Sequence, residues 1–220
     1  MLERIFRQFG VLLAGAVILV AAVSTLAFEL RAEQLSRADP TQAAQMLAAG
    51  MLPLSERADQ VVAEGCYTIL QSIYFKALAT SPRQRTLATC QTVMSDLVRK
   101  VPTHGLARLV LAEIGGIGAA ENFNALLQQS AASAPNSTWL QLRRVALSFD
   151  HQAALDEQGL AVERDDIGAL LRSPKGLADL ARRYLADAET GKLIVAVVDA
   201  APTDVQRAFV EAVRIARAAK

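Results

Sequence analysis

The chain has 220 residues, 52% of them hydrophobic and only 5% aromatic, with 23 basic and 22 acidic side chains for a formal net charge of +1. That length accommodates one domain with a real core plus accessory segments. Near-neutral charge without a long like-charge run excludes the electrostatic footprint of a nucleic-acid binder.

The segment Phe9 to Phe28, FGVLLAGAVILVAAVSTLAF, holds 20 residues without a charge. As a helix it spans about 30 Å, the thickness of a hydrocarbon core. Arg4 and Arg7 precede it, opposed by Glu3, whereas Glu29, Arg31 and Glu33 follow, so the basic bias predicts a cytoplasmic N-terminus and an outer side beyond Leu30. A cleaved signal peptide is the rival reading, with Ala22-Val23-Ser24 or Thr25-Leu26-Ala27 as cleavage sites, but its apolar region is usually shorter. Either reading delivers the rest of the chain to the same compartment. Gly10 and Ala14 form a small-residue pair of a kind that arises readily in alanine-rich spans.

Beyond the span, punctuation predicts helices. Asp39-Pro40 reads as an N-cap with proline at the first helical position, and Gly50 can close that short helix. Pro53 and Ser55 lead into a stripe of Val62, Cys66, Ile69, Ile73 and Ala77, and a second stripe follows at Leu87, Cys90, Met94, Leu97 and Val101. In an oxidising compartment the two cysteines, Cys66 and Cys90, form a disulfide more readily than a metal site, with two buried free thiols as the alternative. The bridge carries a geometric condition. If the first helix ran straight to Ala79, the cysteines would differ in height by roughly 9 Å, so that helix has to stop near Ile73.

Pro82, Pro102, Pro135, Pro174 and Pro202 each fall near an expected helix start, and Gly115-Gly116-Ile117-Gly118 is expected to break the pattern between two helices. Leu193 to Val198 could pass for a strand, but helical neighbours decide for helix. The fold class is therefore all-α: an N-terminal transmembrane helix followed by an extracytoplasmic domain of helical hairpins. The expected organisation is a cytoplasmic stub at 1–8, the anchor at 9–30, a membrane-proximal helix and linker at 31–54, and the outer domain at 55–220.

Pro102 and Pro135 lie 33 residues apart, each followed four residues later by a large apolar side chain, Leu106 and Trp139. With Leu109, Val110, Glu113, Ala119, Phe123, Leu126 and Leu127 between them, this stretch resembles a tetratricopeptide-like unit, whose period is about 34 residues. The full consensus of small residues and tyrosine is missing. Trp139, Leu142, Val145 and Ala146 read as one apolar stripe, which places Trp139 between hairpins as structural core with Phe123 and Leu142. The arginine pairs Arg143-Arg144 and Arg182-Arg183 then lie on solvated faces as candidate contacts for a partner carboxylate or an acidic sugar.

Catalytic machinery is not expected. His104 and His151 are far apart and neither sits in a nucleophile or zinc motif, the glycines at 115–118 lack a following lysine and serine, and Glu163, Asp165 and Asp166 read as a helix start where acids favour the macrodipole. Neither a metal nor another cofactor is called for. Asn136-Ser137-Thr138 matches the glycosylation sequon, a match without meaning in a bacterial protein, which the anchor-first layout suggests.

The order of anchor, cysteine helix, "LARLVLAEIGG…FNALLQQSAASAPNSTWLQLRRVALSF", "DIGALLRSPKGLADLARRYL" and "APTDVQRAFVEAVR" resembles small helical membrane proteins associated with surface-polysaccharide production in alphaproteobacteria. The likeness covers most of residues 60–215 and is one of layout. It implies a non-enzymatic accessory or scaffold beside exopolysaccharide polymerisation and export machinery, held in the bacterial inner membrane by a single span with its domain in the periplasm. The expected partners are thus the inner membrane and one or more proteins. The competing expectation is an accessory subunit of an inner-membrane complex, in which the transmembrane helix itself carries the specificity.

Overall fold

The computed structural model describes residues 2–49, 55–118 and 122–219, with side chains from Leu13 onward. The side chains of Arg4 and Arg7, and the whole of Gly50, Pro53 and Ala119, lie outside what is described. Every regular element among the described residues is helical. The chain divides into two compact units, residues 1–92 and 93–220, each taken here by itself.

In the first unit α1, Leu2–Arg37, is one continuous helix. Its stretch from Leu13 to Arg37 is long and apolar enough to cross a membrane, with a mean hydropathy of 2.2 over its most apolar window. The large aliphatic side chains from Leu13 to Leu30, among them Val17, Leu19, Val23 and Leu26, are exposed within the protein, and Phe28 is half-buried. Ser24 and Thr25 turn their hydroxyls back onto the carbonyls of Val20 and Ala21, at 2.8 and 2.9 Å, so neither leaves a donor unmet along that apolar face.

The same helix then enters a bundle. Ala32 and Leu35 are buried, and Leu35 lies so close to Gly65 that a β-carbon there would sit 3.4 Å from it. Asp39 caps α2, Pro40–Ala48, by accepting from the amides of Thr41 and Gln42, and Pro40 stands in the first turn as expected. Ser55 caps α3, Glu56–Gln71, through the amide of Ala58. α3 packs on both α1 and α2 within this first unit.

The geometric condition on the cysteines is met. α3 stops at Gln71, and Ser72 is extended. Its hydroxyl donates to the Ile69 carbonyl at 2.6 Å and accepts from the Phe75 amide at 3.1 Å, ending one helix and starting α4, Ile73–Ala77. The chain turns into α5, Thr80–Lys100, early enough to bring Cys90 to Cys66, with Cα atoms 5.7 Å apart in a disulfide. Both cysteines are buried, as is Phe75, whose ring lies under the Arg83 guanidinium at 5.0 Å.

The second unit stacks helices in pairs. α6, Gly105–Ile117, packs on α7, Phe123–Ser133; α8, Thr138–Asp150, packs on α9, Glu157–Leu170. α8 starts at Thr138, 33 residues after Gly105, and α9 at Glu157, 34 residues after Phe123. α10, Pro174–Ala186, packs on α9, on α11, Ala188–Asp199, and on α12, Thr203–Ala218. Val145, Ile167, Leu170, Leu180, Ile194 and Phe209 form the apolar core of these helices, and Leu142 packs half-buried against it. Residues 193–198 are helical within α11, as their neighbours required.

The glycine stretch breaks the helical pattern at its far end. α6 runs through Gly115 and Gly116 to Ile117, and only Gly118 serves as its C-cap. A β-carbon on Gly116 would meet the His151 ring at 2.9 Å, so here glycine serves close packing rather than a turn.

Candidate functional site

Two features of the second unit stand out chemically: a buried polar seam along α8, and an exposed aromatic–cation pair at the start of the same helix.

The inward face of α8 is set by Leu140, Gln141, Arg144, Val145, Leu147 and Ser148, all buried. Three of the six are polar. Arg144 is fully buried, and its Nε and Nη2 donate to the two carboxylate oxygens of Asp166 on α9 at 2.6 and 2.7 Å. Its remaining nitrogen, Nη1, reaches the Ser130 carbonyl on α7 at 3.5 Å, and Ser130 Oγ in turn donates to the Gly105 carbonyl at 2.9 Å. This bidentate pair therefore ties α8 to α9 and touches α7. A buried arginine requires such a partner, because an unpaired cation in the core costs several kcal/mol.

Arg144 is thus not the solvated contact expected from its place in an arginine pair. The acidic cluster is corrected with it. Asp156, through the Gly159 amide, caps α9, and Glu163, Asp165 and Asp166 lie in the later part of the helix rather than at its start. Burial pushes the Asp166 carboxyl above the usual carboxylate range, while the bonds from Arg144 pull it down. Glu163, also buried, is raised by desolvation, against the lowering effects of Gln152 at 3.4 Å and of Arg164. His151, ring to ring with Phe123 at 5.6 Å, is lowered by burial, with Asp150 pulling it back.

Trp139 is corrected as well. It is 38% exposed, with the Arg143 guanidinium over its ring at 4.8 Å. The apolar stripe read from the sequence was rotated by about one residue: Leu140 and Gln141 turn inward and Trp139 turns out. Leu142 meets the core only in part, and Phe123 is buried as expected.

The second arginine pair stays at the surface. Arg182 and Arg183 both reach Asp179, at 3.0 and 2.7 Å, with Arg182 the more open of the two. His104 has a structural task, its Nδ1 accepting from the Ala107 amide as the N-cap of α6. Among the described residues no group of three or more histidine, cysteine or acidic side chains is arranged to hold a metal ion.

The Arg144–Asp166 pair was beyond sequence reasoning, because nothing local couples two residues 22 positions apart. Comparison of the chain with protein-family profiles, with curated proteins and with solved structures finds no match. What the geometry defines is a class: an all-helical protein with one N-terminal helix able to span a membrane and a disulfide in its first unit.

Proposed function

We propose that the protein is a single-pass inner-membrane protein with a cytoplasmic N-terminus, whose periplasmic helices act as an interaction scaffold. The observation that carries this reading is the continuity of α1: its exposed apolar length runs without a break into a helix face buried by α2 and α3. Such a helix holds the adjacent bundle at the bilayer surface rather than on a flexible tether. The disulfide suits an oxidising compartment.

On this reading the paired helices α6–α7 and α8–α9 present a tetratricopeptide-like surface, and the partner belongs to exopolysaccharide polymerisation or export machinery. Trp139 and Arg143 support that setting, since an open indole edge suits a sugar ring and a guanidinium suits its acidic substituents. A catalytic role is not proposed.

The test is affinity purification of the intact chain from membranes in mild detergent. Co-purification of polysaccharide-assembly proteins, lost in a chain truncated after residue 92, supports the scaffold. Recovery of the same proteins with the truncated chain sinks it and favours an accessory subunit that acts through its span.

A further inference from the structure

α12 has two apolar faces. Val205, Phe209 and Val213 pack toward the core, whereas Ala208, Ala212, Ile215 and Ala216 turn toward an open groove of about 640 Å³ between α10 and α12. The opposite wall, on α10, carries Leu177, Ala178 and Arg182. Ile215 is 61% exposed there, a position that gains nothing from water.

The walls carry opposite charges. Arg182 stands on the α10 wall and Glu211 on the α12 wall. Each is engaged only within its own helix, Arg182 with Asp179 and Glu211 with Arg214, in exposed pairs three residues apart. Such pairs contribute little and re-form readily with a new neighbour.

We infer that this groove is a self-association face that receives α12 of a second copy of the chain. A helix lying in the groove contacts the α10 wall, so the incoming α12 brings its own Glu211 against Arg182. A two-fold axis repeats the contact in reverse, so one patch satisfies both copies. Alanines at 208, 212 and 216 recur once per turn and let two helices approach to the short end of the usual 8–10 Å spacing, while Ile215 gains a partner across the axis. The inference goes beyond the scaffold reading and does not depend on what the scaffold binds.

The test is native mass spectrometry of the full chain in detergent over a dilution series. A dimer is expected in the wild type. Ile215→Glu and Arg182→Glu should each raise the dissociation constant about tenfold or more, and the double reversal Arg182→Glu/Glu211→Arg should restore it, because each copy then again offers one acid and one base across the axis. Circular dichroism melting should be unchanged, as all three positions are exposed; if Ile215→Glu fails to fold, the charge-reversal series decides alone. A monomer at every concentration, a dimer indifferent to these substitutions, as a span-mediated dimer would be, or a double reversal that does not recover would each overturn the inference.

Discussion

Residues 56–92 close around a covalent link set in an apolar stripe, whereas α8 and α9 close around a buried ion pair. The disulfide acts mainly by restricting the unfolded chain, so its worth depends on loop length and redox state and little on what surrounds the sulfurs. The Arg144–Asp166 pair acts only in the folded state, and each partner is tolerable there because the other is present. The first unit should therefore fail on reduction, and the second on any change that removes one charge and leaves the other.

The largest effect is expected from Arg144→Ala, which strands the Asp166 carboxylate in the core and should cost about 3–5 kcal/mol in chemical denaturation. Replacing both partners by apolar side chains, Arg144→Met with Asp166→Leu, should recover most of that loss. A double variant no more stable than Arg144→Ala would show that the pair is not the cause. Next comes Cys66→Ala with Cys90→Ala, expected to cost about 3 kcal/mol, as the entropy of a loop of 24 residues indicates. Hydrogen exchange should report that loss in residues 56–92 and leave α8 and α9 protected.

A smaller effect, and one with a direction in pH, is expected at Glu163. Burial raises its folded pKa above the unfolded value, so its contribution is fully present below the unfolded pKa and is lost as pH rises through the folded one. Glu163→Gln removes that dependence and should raise the melting temperature at pH 7 relative to wild type, with the gain shrinking toward pH 4. His151 runs the other way: its folded pKa is lowered, so its contribution holds above the unfolded pKa and is lost on acidification through the folded one. A Glu163→Gln gain independent of pH would point to packing instead of charge. The smallest effect is at the surface, where Trp139→Ala and Arg143→Ala should each cost about 1 kcal/mol or less, since the pair is a half-open cation–π contact. A loss of several kcal/mol at Trp139 would return the indole to the core.

The difference between the units also marks what the sequence could convey. Asp39-Pro40 and Ser55 announce helix starts because a cap is a local hydrogen bond, and Pro174 marks another because proline suits the first helical turn; the structure starts a helix at each. The cysteine geometry was legible to the point of demanding a helix end near Ile73, and Ser72 supplies it. The face of α8 was not legible. Periodicity assigns polar side chains outward, yet Gln141 and Arg144 turn inward because Asp166, Ser130 and the Pro135 carbonyl lie where the pattern of one helix cannot reveal them. The packing role of Gly116 was hidden for a related reason: what it accommodates is His151, 35 positions away.

One measurement bears most directly on the claim that the helices outside the membrane, and not the span, carry recognition. Residues 9–28 are replaced by an unrelated transmembrane helix of equal length, and the proteins that co-purify with the chain are compared with those of the wild type. The account predicts the same partners in similar yield. Loss of those partners, in a chain that still inserts and still forms the Cys66–Cys90 bridge, would contradict it and assign the specificity to α1.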